Sequence, residues 1–224
     1  MNKAIELQGL VKTYGRLRAV DGVSFSVAPG EFVGLVGPNG AGKSTTIKIM
    51  TGQLMPTDGV VRVGGHDVVQ DPAQARSAIG YVPEFPQLYD YLSAREMIQF
   101  VIELRGGGEL DWALEVAGLG THADRLIREY SQGMRRKTAL ACALVSRPPV
   151  LVLDEALNGL DPSSAARVIG VLDELRHAGA AVVLSTHVLD TLEKVADRIV
   201  LLVDGRVEAD VPVSELGQVR SRLG

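Results

Sequence analysis

Cysteine is nearly absent from this chain: Cys142 is the only one in 224 residues, so no internal disulfide can form. Set in an Ala-rich stretch, it reads as a small core residue in a reducing compartment. Long apolar runs are missing as well. No stretch approaches the roughly 20 apolar residues that a bilayer-spanning helix needs. Met1 to Leu10 lacks the basic stretch and apolar run of an export signal. These absences predict a protein that is soluble in its own right and cytoplasmic, able to reach a membrane only through a partner. An excess of positive charge is also lacking. The formal net charge of −4 gives no basic face for phosphodiester backbones, and no nucleic-acid partner is expected. The rest, 46% hydrophobic and 22% charged, is ordinary globular composition, and the length predicts one domain with room for an elaborated subdomain.

The most informative stretch that is present is Gly37-Pro38-Asn39-Gly40-Ala41-Gly42-Lys43-Ser44-Thr45, which follows the apolar run Phe32 to Val36 and precedes a helical pattern beginning near Lys43. Its G-x-x-x-x-G-K-[ST] spacing is that of a phosphate-binding loop. The glycines let successive backbone N–H groups turn toward phosphate oxygens, and the following helix aims its positive end at the same anion. Lys43 then reaches the terminal phosphates, and the Ser44 hydroxyl is placed to ligate Mg²⁺.

Three kinds of sequence grammar surround this loop. Ile5 and Leu7, then Val23, Phe25 and Val27, alternate apolar with polar residues and predict antiparallel strands. Val60 to Val63 and Val68-Val69, separated by Gly64-Gly65, predict a hairpin, so a small antiparallel β layer should flank the nucleotide site. From Pro83 to Pro149 helices are expected. One is capped by Ser93 with Glu96 and ends at Gly106, a second runs from about Leu110 to Ala117, and an Ala-rich third runs from about Gln132 to Val145. This block reads as an inserted helical subdomain.

After Pro149 the pattern alternates between strand and helix. Val150 to Leu153 and Ala181 to Leu184 are continuous apolar runs of buried parallel-strand type. Between them Asp161-Pro162 starts a helix, and Ile199 to Val203 turns through Asp204-Gly205 into Val207. The fold class is therefore α/β, a phosphate-loop NTPase core with a mostly parallel sheet and ligand chemistry at the carboxyl ends of its strands. Asp154 ends the first of these strands, as a Mg²⁺-linked aspartate of such an enzyme should. Glu155 follows, placed to orient and partly deprotonate a water for attack on the terminal phosphate. His187, just beyond the next strand, is within reach of that phosphate or water.

With these elements in place the whole chain, 1–224, resembles the ATP-binding subunit of an ABC transporter, with its helical subdomain at about 85–148. Tyr130-Ser131-Gln132-Gly133-Met134 matches the family's signature, Leu157-Asn158-Gly159-Leu160-Asp161 its D-loop, His187 its switch histidine and Tyr81-Val82-Pro83-Glu84 its Q-loop segment. The resemblance implies that Tyr14 stacks on adenine, that Glu84 approaches Mg²⁺ or water, and that Asp161 belongs to the nucleotide site. It also implies that Ser131 and Gly133 face the nucleotide of a second subunit, since Ser131 is a good helix cap and a helix start offers free N–H groups to an anion. Two ATP molecules would then lie between two head-to-tail domains, a homodimer or a pseudo-dimer with a paralogous ATPase. An integral membrane permease subunit would hold the pair at the inner face of the cell membrane, docking near Phe85 to Tyr91.

Some positions depart from the family pattern. Glu84 stands where glutamine is usual, Gln132 and Met134 replace a glycine and a glutamine of the signature, and Ala156-Leu157 replaces Pro-Thr. Glutamate in the Q-loop with a Ser-x-Gly-Met signature resembles the ATPase subunits of bacterial exporters. The alternative class is a soluble ABC-type ATPase in DNA maintenance or translation, whose long coiled coils or doubled ATPase units are not visible here. A nucleotide kinase would account for residues 37–45 but not for Ser131, Glu155 and His187.

Overall fold

The computed structural model describes residues 3–223, and among these the strands form two sheets. β1 (Ile5–Tyr14) and β2 (Leu17–Val27) pair antiparallel, and β4 (Asp58–Val63) and β5 (His66–Asp67) complete a four-stranded sheet in the order β2-β1-β4-β5. β3 (Phe32–Val36) lies in the other sheet, followed by α1 (Lys43–Met50). The remaining elements are α2 (Pro72–Ser77), β6 (Ile79–Val82), α3 (Ala94–Arg105), α4 (Leu110–Ala117), α5 (Gln132–Leu144), β7 (Val150–Asp154), α6 (Pro162–His177), β8 (Ala181–Ser185), α7 (Leu189–Val195), β9 (Arg198–Val203), β10 (Arg206–Pro212) and α8 (Leu216–Leu223).

The larger sheet runs β10-β9-β3-β8-β7-β6, parallel except for β10, which closes a hairpin on β9. Every residue of β3, β7 and β8 is buried. Their unbroken apolar runs are the counterpart of being covered on both faces. On one face the antiparallel sheet and α1 close a core around Leu35, Ile47 and Met50; on the other, α5, α6, α7 and α8 enclose Leu140, Leu172, Leu192 and Val219. A third cluster, around Ile98, Ile127 and Ala141, joins α3, α4 and α5 to one another.

The helix signals hold in detail. The Ser93 hydroxyl accepts from the Glu96 N–H at 3.2 Å while Glu96 Oε2 accepts from the Ser93 N–H at 2.8 Å, so α3 starts with the reciprocal capping box that the sequence predicts. Two features differ from the expectation. The second strand of the Gly64-Gly65 hairpin is His66–Asp67, not Val68-Val69. The Asp67 carboxylate accepts from the N–H groups of Val69 and Gln70, at 2.8 and 3.1 Å, and so turns the chain out of the strand. The sequence carries no clear signal for α2 or β6. Neither shows a strong period, because α2 has six residues and buries only Ala75, and β6 is an edge strand of four.

Candidate functional site

The carboxyl ends of β3, β7 and β8 open into a cleft of about 790 Å³. Residues 37 to 45 form its floor. Two of their glycines are required by close backbone approach as well as by positive φ. A Cβ on Gly37 (φ +151°) would lie 2.2 Å from the Leu202 carbonyl oxygen, and one on Gly42 (φ +95°) would lie 2.5 Å from that of Ala19. β9 and β2 therefore clamp the loop from outside. Gly42 caps α1 without a side-chain acceptor, so the first N–H groups of the helix are left to the cleft. The Lys43 ammonium donates to the carbonyls of Gly37 at 2.6 Å and Pro38 at 3.0 Å, arched over the loop it belongs to. Burial lowers the Lys43 pKa, and the charges of Glu155 and Asp154 oppose that shift.

Three acidic residues from two elements face this loop. Asp154, the last residue of β7, is 4% exposed, and its Oδ1 has no hydrogen-bond partner; Ser185 Oγ beside it is likewise unpaired. Burial raises the Asp154 pKa, and the Glu155 and Glu84 charges add to the rise. Glu155 follows with φ +50°, a conformation uncommon for a residue with a side chain. Its Oε2 accepts from Asn158 Nδ2 at 2.6 Å and lies 3.2 Å from Nδ1 of the exposed His187. Glu84, beyond β6, lines the cleft through a half-buried side chain, and its carbonyl accepts from Arg136 Nη2 of α5 at 2.9 Å.

Tyr14 ends β1 at the outer rim, 47% exposed, with Leu17 and Ala19 beside it. The Lys12 ammonium sits 5.3 Å from the Tyr14 ring centroid and donates to the Met55 carbonyl at 2.8 Å. An exposed aromatic ring over a phosphate loop can stack on a planar base.

The cleft is therefore lined by Tyr14, all of 37–45, Glu84, Glu155 and His187, with Asp154 buried beneath it. Ser131, Gly133 and Asp161 do not line it. Ser131 is exposed at the start of α5 and accepts from the Met134 N–H at 3.3 Å. Asp161 caps α6, accepting from the Ser164 N–H at 2.9 Å and from the Ser163 and Ser164 hydroxyls, and lies 3.2 Å from Lys137. The hydroxyl bonds of Ser163 and Ser164 hold its carboxyl well below the usual range. Sequence reasoning placed Asn158 in the segment matching the D-loop without giving it a role of its own, and did not single out Ser185. Both are ordinary loop and strand-end residues whose roles appear only through what they face.

The residues suit a nucleotide with its metal. Uncapped N–H groups and Lys43 match phosphate oxygens, and the unpaired Asp154 Oδ1 and the Ser44 hydroxyl are oxygen donors of the kind Mg²⁺ takes. Among the described residues no cluster of three His, Cys, Asp or Glu is arranged to hold a metal.

Comparison with known proteins agrees with this geometry. The family described as "ABC transporter" matches residues 20–158. Over 99% of its length the chain is 39% identical to the daunorubicin/doxorubicin resistance ATP-binding protein DrrA of Streptomyces peucetius, covering 68% of that protein. It is 36% identical, again over 99% of its length, to the Nod factor export ATP-binding protein I of Paraburkholderia xenovorans, covering 74% of it. Among solved structures, a dimeric post-hydrolysis state of the ATP-binding cassette MJ0796 with ADP and Pi superposes with a TM-score of 0.86 at 27% identity, covering 93% of this chain and 98% of that one.

Proposed function

The chain belongs to the ABC transporter family and is an ATPase, and from that premise we propose that it powers export through a separate membrane-spanning subunit. The relatives' printed names, one of drug resistance and one of Nod factor export, support the direction of transport. The observation that carries the reading is the meeting, in one cleft, of an uncapped helix start with Lys43, a buried unpaired aspartate and the Glu155–His187 pair.

In this proposal the N–H groups of residues 40 to 45 and the Lys43 ammonium bind the phosphates, and Tyr14 stacks on adenine. Ser44 and Asp154, with Glu84 alongside, would hold Mg²⁺, which neutralises charge on the transferring phosphoryl group. Glu155 orients the attacking water and takes its proton. His187, whose Nδ1 faces Glu155 Oε2, helps hold that carboxylate and reaches toward the terminal phosphate.

Ser131 and Gly133, at the exposed start of α5, would complete the site of a second copy or a paralogue, with Asp161 and its loop at the contact between the two. The cleft of a single chain then lacks one wall, and ATP supplies the adhesion between two chains. The helical segment at about 85–148 would carry the closing motion to the membrane subunit. The exposed side chains of Phe85, Tyr89 and Tyr91 suit that contact. Among the described residues no helix is long and apolar enough to cross a membrane, in keeping with a peripheral place on a permease.

Light scattering on the Glu155→Gln protein tests the reading. ATP with Mg²⁺ is expected to convert monomer to dimer while phosphate release falls to a small residual rate. A monomeric variant that hydrolyses ATP at the wild-type rate overturns it.

A further inference from the structure

The loop between β7 and α6 contains a contact that the proposed mechanism leaves unused. Asn158 Nδ2 donates to Glu155 Oε2 at 2.6 Å, and both side chains are half-buried at the wall of the cleft. An ionised carboxylate only accepts hydrogen bonds, so the amide must present its nitrogen. The turn that brings the two together is held by the backbone: the Glu155 N–H donates to the Ser185 carbonyl at 3.0 Å, and the Asn158 N–H donates to the Glu155 carbonyl at 3.1 Å. The positive φ of Glu155 is the local cost of this turn.

Behind Asn158 the loop rests on α5. A Cβ on Gly159 would come within 3.0 Å of Arg136 Nη1, the Gly159 carbonyl oxygen lies 3.7 Å from where a Cβ on Gly133 would stand, and Lys137 pairs with Asp161. The residues that follow Asn158 are thus braced against α5, while its own amide meets the carboxylate.

Glu155 Oε2 is occupied by Asn158 and faces His187, whereas Oε1 has no such donor among the hydrogen bonds of the described residues. A carboxylate held by one oxygen cannot rotate freely, and the other oxygen is then presented in a fixed direction. Fixing a base within a fraction of an ångström and a few tens of degrees of its working geometry removes an orientational cost from the reaction. We propose that Asn158 is a positioning residue for ATP hydrolysis, holding Glu155 through Oε2 so that Oε1 meets the attacking water. The proposal rests on Glu155 being the group that receives the proton.

Two near-isosteric substitutions in the full chain test it: Asn158→Leu removes the donor and keeps the shape, and Asn158→Asp replaces the donor with a like charge. Losing a hydrogen bond to a charged group should lower kcat about tenfold or more, with the aspartate variant at least as impaired. KM for ATP and equilibrium binding of a fluorescent ATP analogue are expected to stay at the wild-type level. The double variant Glu155→Gln/Asn158→Leu should be no slower than Glu155→Gln alone, because Asn158 acts only through that carboxylate. A merely structural asparagine would lower thermal stability and add its effect to that of Glu155→Gln. Wild-type kcat in both Asn158 variants, or additive losses in the double variant, overturns the proposal and leaves the reading of Glu155 intact if Glu155→Gln keeps only a small residual rate. A fully active Glu155→Gln overturns both.

Discussion

His187 Nδ1 and Glu155 Oε2 stand 3.2 Å apart, although 32 residues separate them in sequence. They meet because β7 and β8 are adjacent and parallel, with Asp154 paired to Ser185, so the residues following each strand emerge at the same edge. The glutamate is mostly buried and the histidine side chain is 69% exposed, so the imidazole covers the carboxylate from the solvent side.

Removing that imidazole tests its part in turnover. His187→Ala should lower kcat by roughly a hundredfold, at the modest end of what a positioned acid–base group contributes. ATP binding should be retained, because residues 37–45 and the Lys43 ammonium supply the main phosphate contacts in the cleft. Steady-state phosphate release beside equilibrium nucleotide binding separates the two effects, and parallel loss of both would assign His187 to binding instead.

Lys43→Ala should act on binding first. A charged hydrogen-bond donor to phosphate contributes about 1.5–3 kcal/mol, which corresponds to roughly a 10- to 100-fold loss of affinity for ATP. The same change frees the Gly37 and Pro38 carbonyls that Lys43 now covers. Calorimetric titration with ATP and Mg²⁺ measures the loss, and unchanged affinity would remove Lys43 from the site.

Gly37→Ala should destabilise the protein as well as its loop. The backbone conformation, open essentially to glycine alone, costs a side chain about 1–3 kcal/mol, and the new methyl would run into the Leu202 carbonyl. A fall in Tm of roughly 2–4 °C per kcal/mol is expected for a chain of this size. Gly40→Ala is the matched control: that position also has positive φ, +84°, but a Cβ there meets nothing within 4 Å. The difference between the two melting temperatures reports the clash with β9 together with the more restrictive backbone conformation at Gly37.

Cys142 should be silent toward thiol reagents in the native protein. Burial against α3 and α4 pushes its thiol up to about 12, so the reactive thiolate is scarce at pH 8. Reaction with an aromatic disulfide at pH 8 is expected only after addition of denaturant. Rapid labelling of the folded protein would show that the helical segment opens on the timescale of the assay.

Much of this molecule was legible because its signals are local. The phosphate loop depends on glycines at fixed spacing, the start of α3 on Ser93 and Glu96 three residues apart, and the hairpin of β9 and β10 on Asp204-Gly205. Each works through backbone geometry within a few residues. The buried strands β3, β7 and β8 were equally plain, since burial on both faces leaves an unbroken apolar run. Residues near Tyr14 gave a weaker signal: an exposed tyrosine at a strand end is common, and only the resemblance to a family connected it with a base.

Sequence alone therefore determined the α/β class, the phosphate loop, the carboxylates Asp154 and Glu155 and the three helices of the inserted block, all set by short-range spacing and apolar period. The tertiary structure decided the rest. Strand order brought His187 to Glu155, the burial of Asp154 left an oxygen without a partner, and the turn after β7 aimed the Asn158 amide at Glu155. Tertiary packing left Ser131 and Gly133 outside the cleft of their own chain. Apart from the Asn158–Glu155 turn, which spans three residues, these relationships arise between residues far apart in the chain, where distance and direction are fixed by how sheets and helices pack and not by the spacing of letters.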